Sequence, residues 1–436
     1  MQDVGGDAGR RAADGAGARP GDSGVRAAVA HGDAAGRGEP APPALRELRG
    51  AGRRPAAPRL TLGLLAASAG LGAANLYYAQ PLAPMIARDF HASASGVSSA
   101  LVGTQLGYAA GMLLLVPLGD VRERRGVIAA TALSAAAALL GFAAAPSLAL
   151  LTVASVVVGL CASLTQMMVP FAVGLAPPED RGRVVGTVMS GLLTGVLLSR
   201  TASGTLGAAI GWRGVFVVAA GVMVGLAALL RVALPVASPP SIALPYRALL
   251  GSMATIVRRE AVLRRRCAVG ALSFASFSAF WSTIAFQVVH GPIGGTSATA
   301  GLIGALGVTG VVVAPLAGRL AMRVSPVRVN VGALGLAALA FGLFAAGGGS
   351  LVVIGVGVVL LDAGSQANML ANQTVIFGLA PAERSRVNAI YMVSYFLGGA
   401  LGTAVAAQAW QHGGWVAVCT VGGGLSLAAM LPLRGA

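Results

Sequence analysis

Lysine is absent from this chain: all 31 basic residues are arginine. Without lysine there is no glycine-rich loop ending in the lysine that cradles nucleotide phosphates, so ATP-driven chemistry is excluded. Charge is scarce too, at 11% of residues, where soluble domains carry about a quarter. The three cysteines, Cys161, Cys267 and Cys419, lie far apart in or beside apolar runs, with no metal spacing and no reason for a disulfide. Of the four histidines, His31 falls in the N-terminal tail and His91, His290 and His412 between apolar runs. Neither metal nor cofactor is expected, and a membrane-embedded enzyme finds no nucleophile, base or paired acids. What the chain has is apolar surface: 56% hydrophobic residues and a mean hydropathy of +0.78 mark an integral membrane protein. The net charge of +16 would suit nucleic acid, but the arginines fall in short clusters between apolar segments, the pattern of membrane topology. No nucleic-acid partner is expected.

Residues 1–59 hold almost no large apolar side chain and read as a disordered tail. Arg53 and Arg54 before the apolar run mimic a twin-arginine export signal, yet the run continues into "NLYYAQPLAP" and reads as a first span. At about 20 apolar residues per crossing, twelve spans are predicted: 60–82, 95–118, 127–145, 148–175, 184–208, 214–234, 267–289, 297–320, 328–346, 350–378, 387–410 and 414–433. Nearly all inter-span arginines share the tail's face, with only Arg88 and Arg213 opposite. The positive-inside rule therefore predicts a multi-pass protein of the bacterial inner membrane with both termini cytoplasmic.

The segment "LPYRALLGSMATIVRREAVLRRRC", 244–267, is too charged to span. It reads equally as an interfacial helix on anionic lipid or as a solvated linker. "PEDRGRV" at 178–184 matches "PAERSRV" at 381–387 with an offset of 203, and Gly211-Trp212 matches Gly414-Trp415 with the same offset. The all-α chain is thus predicted to hold two six-helix pseudo-repeats, 60–234 and 267–436, joined by a linker at 235–266.

Between spans two and three stands "PLGDVRERRGVI", 117–128. This loop resembles the G-x-L-x-D-R-x-G-R-R signature of the major facilitator superfamily, with Val116, Val121 and Glu123 departing from it. The resemblance covers roughly residues 60–433 and implies a twelve-helix transporter whose loop acts as a conformational latch, a role carried to Asp120, Arg124 and Arg125. "NLYYAQPL" at 75–82 and "GWRGVF" at 211–216 are similar to bacterial drug:proton antiporters, although Leu198-Ser199-Arg200-Thr201 stands where that group has a glycine-proline motif.

Arg200 interrupts an apolar span, where a guanidinium costs several kcal/mol and marks function. At about 1.5 Å per residue it lies roughly 24 Å from the cytoplasmic end of span five, level with Asn75 and Tyr78 in span one and Trp281 in span seven. These residues are expected to line a substrate cavity and to hold Arg200 through Asn75, Tyr78 or a bound substrate. Asp362 is the one acid deep in a span. Counted through a core of about 30 Å, it lies only about 12 Å above the cytoplasmic edge and is expected to form a separate site. A carboxyl in hydrocarbon can load and release a proton, so Asp362 is the proton-coupling candidate, and Gln366, one turn away, is expected among the residues of the substrate cavity. The expected function is a monomeric secondary transporter, driven by the proton gradient and exporting small organic compounds by alternating access. The alternatives are transport of organic anions, suited to Arg200, and a non-transporting membrane sensor.

Overall fold

The computed structural model describes residues 59–235, 246–307, 324–379 and 383–435. The tail, linker residues 236–245, most of span eight and the loop after it lie outside the described residues, as does the Asp120 side chain. Among the described residues the chain is helical throughout, without strands.

Span one is two helices, α1 (Arg59–Ala74) and α2 (Ala79–Asp89), separated by a turn at Asn75–Tyr78. Pro81 explains the break: it has no N–H for the Tyr77 carbonyl, and its ring would collide with that carbonyl in a continuous helix. Span two is α3 (Ala94–Val121) and span three α4 (Arg124–Ala144). Ser93 caps α3 through the Gly96 N–H at 3.2 Å, and Glu123 caps α4 through the N–H groups of Arg125 and Gly126 at 3.0 and 2.8 Å. Glu123, a departure from the signature loop, thus starts a helix. Span four is also divided, into α5 (Leu148–Ala162) and α6 (Thr165–Gly174).

The helix α7 runs Arg181–Ala233, which would be about 80 Å long if straight. It instead turns back at Gly211, whose φ of 73° suits glycine. Just beyond the turn, Arg213 pairs with Asp89 and donates to the Ala145 carbonyl at 3.3 Å. At the far end, the Leu234 carbonyl accepts from Arg125 at 3.0 Å. The segments after Gly211 and before Ala145 are therefore antiparallel, and α7 contributes two crossings.

The second half repeats this plan. A linker helix α8 (Tyr246–Arg259) leads to α9 (Ala261–His290), a short described segment α10 (Ser297–Ala305), α11 (Pro326–Gly347), α12 (Leu351–Leu379) and α13 (Arg384–Ala428). Gly414, φ 59°, turns α13 back in the position that Gly211 occupies in α7. The tryptophans that follow are both anchored, Trp212 to Asp89 at 3.3 Å and Trp415 to the Phe344 carbonyl at 2.8 Å. Dividing the long helices at these glycines gives eleven apolar crossings among the described residues, and α10 opens a twelfth.

Tight packing uses glycine where polar glue is scarce. A side chain at Gly191 or Gly195 would overlap the backbone of α1, and one at Gly398 or Gly402 the backbone of α9. The linker helix corrects the interfacial-helix expectation. Its apolar face, Leu249, Met253 and Ile256, is buried, and Met253 and Ile256 join a protein cluster with Met112, Leu263, Ile376 and Val387 rather than turning to lipid. Arg264 donates to the α8 carbonyls of Val257 and Arg258 at 2.8 and 2.7 Å, closing the helix end.

Candidate functional site

Arg200, 3% exposed, lies in the first crossing of α7 against the break in span one. Its Nε donates to Gln80 Oε1 at 2.8 Å. Its guanidinium is stacked between two rings, 4.6 Å from the Tyr77 centroid and 4.1 Å from that of Trp281. Such faces stabilise a desolvated cation by about 2 kcal/mol. Nη2 is left without a partner.

Trp281 belongs equally to Asp362. The indole N–H faces the Asp362 carboxyl but stops short of a well-formed hydrogen bond, and Arg200 lies within electrostatic reach of the same carboxyl. No Arg200–Asp362 ion pair is closed among the described residues. Span eight seats both groups: a Cβ at Gly304 would meet Arg200 Cβ at 2.7 Å, and one at Gly307 would meet Asp362 Oδ2 at 2.6 Å. Two glycines one turn apart thus let the acid and the base approach the same helix.

The expectation that Asp362 forms a separate site is corrected. Its depth was counted from the outer end of span ten through a core of about 30 Å, but the 29 residues of α12 run about 43 Å and overrun it. Counted from the arginine-rich ends of their helices, Asp362 is about 26 Å up α12 and Arg200 about 28 Å up α7, so they share one level. The expected partners of Arg200 change as well. Asn75 is buried with its Nδ2 unpartnered, and Tyr78 packs into the apolar core of the first half. The turn at Asn75–Tyr78 brings Tyr77 and Gln80 to Arg200 instead. Gln366 is half-buried on α12, one turn from Asp362.

Above this cluster, toward the arginine-poor face, lies a vestibule of about 860 Å³. Its walls include Arg88, His91, Phe286, His290 and Trp410. Directly beneath, a void of about 10 Å³ is lined by Gln80, Pro81, Arg200, Trp281 and Ala300. On the arginine-rich side the cluster is covered by Leu76, Tyr108, Phe274, Tyr391, Tyr395 and Phe396, drawn from both halves. Arg125 ties the start of span three to the end of span six, and Arg124 Nε donates to the Gly119 carbonyl at 3.0 Å.

A second buried arginine was hidden among the topological ones. Arg266, 4% exposed, donates to Asn330 at 2.7 Å and Asn372 at 3.4 Å. Asn330 donates to Asn368 Oδ1 at 2.6 Å, and Asn372 to the Tyr391 hydroxyl at 3.4 Å. In the sequence it is one of three consecutive arginines, but Asn330, Asn368 and Asn372 within spans were the available signal. Among the described residues, no group of three His, Cys, Asp or Glu side chains is placed to hold a metal.

The family model described as Major Facilitator Superfamily matches residues 62–367 and 266–434. The chain is 41% identical over 368 residues to the uncharacterized transporter YgaY of Escherichia coli O157:H7, covering 84% of this chain and 93% of that one. It is 39% identical over 383 residues to the "Probable transporter SCO4007" of Streptomyces coelicolor, covering 88% and 89%. The crystal structure of the nucleoside transporter NupG shares the fold, with a TM-score of 0.70 at 14% identity over 86% of this chain and 99% of that one. An all-helical architecture with eleven apolar crossings among the described residues, a repeat turning at matched glycines and these likenesses agree: the chain belongs to the Major Facilitator Superfamily and is a membrane transporter.

Proposed function

We propose that this chain is a proton-coupled secondary transporter of small organic compounds, working by alternating access in the bacterial inner membrane with both termini cytoplasmic. One observation carries the reading: Arg200 and Asp362, both buried, meet at Trp281 without closing an ion pair. A carboxylate there offsets the guanidinium, and a protonated Asp362 leaves the positive charge uncompensated. The cluster thus has two charge states with different demands on its surroundings, which is what couples a proton to a conformational change. The six-helix halves rock about this site. The loop carrying Asp120, Arg124 and Arg125 acts as a latch on the arginine-rich face, a role supported by the bond from Arg125 to the end of span six. Export, as in drug:proton antiporters, is the direction that the resemblance of "NLYYAQPL" and "GWRGVF" favours.

The test needs no substrate. Proteoliposomes adsorbed on a supported membrane give a transient charge displacement after a pH jump if a buried site binds protons. Asp362→Asn should abolish that transient; a mutant retaining it in full removes Asp362 from the coupling role.

A further inference from the structure

The vestibule stands on an unusual allotment of charge. Only Arg88 and Arg213 occupy the arginine-poor face, where topology disfavours positive residues. Arg213 is engaged by Asp89. Arg88, one residue earlier in α2, instead lines the vestibule beside His91 and His290. No carboxylate lines it. The one acid near the rim, Asp89, is held by Trp212 and Arg213. Of the other described helices that contribute walls, α7, α9, α10 and α13 contain no acid, and α3 has only Asp120, at its opposite end. A concave site with walls of one sign focuses its field and enriches ions of the opposite sign.

The cluster beneath has the same bias in its hydrogen bonding. Arg200 Nη2, Asn75 Nδ2 and Trp281 Nε1 are buried donors without partners, whereas Asp362 Oδ1 is the unpartnered acceptor of the group. Buried donors left unpaired cost about 1–3 kcal/mol each and are satisfied by a guest that accepts hydrogen bonds. The same two helices line both voids, α2 through Pro84 above and Pro81 below, and α9 through Phe286 above and Ala285 below. Phe286 and Trp410, with ring centroids 6.2 Å apart, add an apolar wall.

We infer that the vestibule is a capture site for small organic anions, carboxylates with an apolar body, which Arg88, His91 and His290 draw from the arginine-poor face toward Arg200. This rests on the proton-coupled transport reading above, names its substrate class, and takes the inward direction in place of export. Arg88 supplies the permanent charge, the two imidazoles supply donors, and the aromatic wall accepts the body. The vestibule volume fits a ligand of drug size. The fork of Arg200 then meets a carboxylate in a plane, as a guanidinium does and an ammonium does not.

The experiment reads the charge preference of the vestibule directly. Ala208, an exposed vestibule residue, is replaced (Ala208→Cys) in the full-length protein, whose three native cysteines are buried. Its modification rates by anionic sulfonatoethyl and cationic trimethylammonioethyl methanethiosulfonate are divided by the rates of the same reagents with free mercaptoethanol. The normalised anion-to-cation ratio should exceed one by about tenfold or more, and Arg88→Gln with His290→Gln should lower it several-fold. Ala92→Cys, on another wall, gives an independent reporter should the first variant fail to fold. A ratio at or below one at a folded reporter, or a high ratio unmoved by the Arg88 and His290 substitutions, overturns the assignment. Either result leaves the pH-jump transient of Asp362 intact, so failure here is distinct from failure of proton coupling.

Discussion

The guanidinium of Arg200 lies 4.1 Å from the ring centroid of Trp281, and the edge of that ring faces Asp362. One side chain therefore reports on both charges, and its two properties can be removed separately. Arg200→Lys keeps the charge but loses the planar stack between Tyr77 and Trp281, and should lower stability by about 1–2 kcal/mol. Trp281→Phe keeps a ring for the cation but removes the indole N–H. It leaves a small cavity at a fully buried site and should melt somewhat below the wild type, while shifting the pH at which the charge-displacement transient is half-maximal. Thermal melting and the pH-jump transient, read side by side, check both.

Arg266 makes a different demand. With Asn330 as its shortest partner, Asn330→Leu leaves a buried guanidinium with little compensation and should destabilise the second half by about 2–4 kcal/mol. Arg266→Met removes the charge together with its need for partners and should cost less. Melting of the two variants decides between a charge that requires its asparagine cage and one that tolerates its loss.

At the surface, Arg259 ties the linker helix to the second half through Glu383 at 2.9 Å, with Glu260 also at 2.9 Å. The hydrogen bonds to Glu260 and Glu383 push the Arg259 guanidinium above its ordinary value. A group raised in the folded state gives up its contribution only as pH rises through that raised value, so alkali within the working range leaves this contact in place. Salt does not: between 0.1 and 1 M the screening length falls from about 10 to about 3 Å. Hydrogen exchange in 246–259, corrected for intrinsic rates, should therefore be unchanged from neutral to mildly alkaline pH and accelerate in salt. Glu383→Gln should reproduce the salt effect at low ionic strength.

Much of the plan was legible because membrane physics leaves few choices. Apolar length gave the crossings, and Gly211-Trp212 and Gly414-Trp415 gave the repeat, since a reversal with positive φ followed by a buried indole needs the same pair of residues twice. Arg200, Trp281 and Asp362 stood out because polar groups in hydrocarbon are costly. Three things were not legible. The depth of Asp362 was missed because it was counted from the outer end through a core of about 30 Å, whereas a 29-residue helix is about 43 Å long and overruns that core. The choice of Tyr77 over Tyr78 depended on the turn at Asn75–Tyr78, which breaks the helical phase used to compare faces. Arg266 depended on a tertiary cage of three asparagines, invisible beside two neighbours that serve topology.

The breaks in spans one and four have a mechanical side. At Leu76, Tyr77 and Gln80, and again at Ser163, Leu164, Gln166 and Met167, the backbone N–H groups reach back three residues rather than four, so each crossing is two short rods joined by a tight turn. A rod bends as a whole, whereas two rods bend at their joint. The joint in span one lies between the inner length that packs on Gly191 and Gly195 and the outer length that carries Gln80 and Arg88. The outer length is therefore a separate rod laid against Arg200, jointed to an inner length that is held on α7, so strain on one need not be carried rigidly into the other.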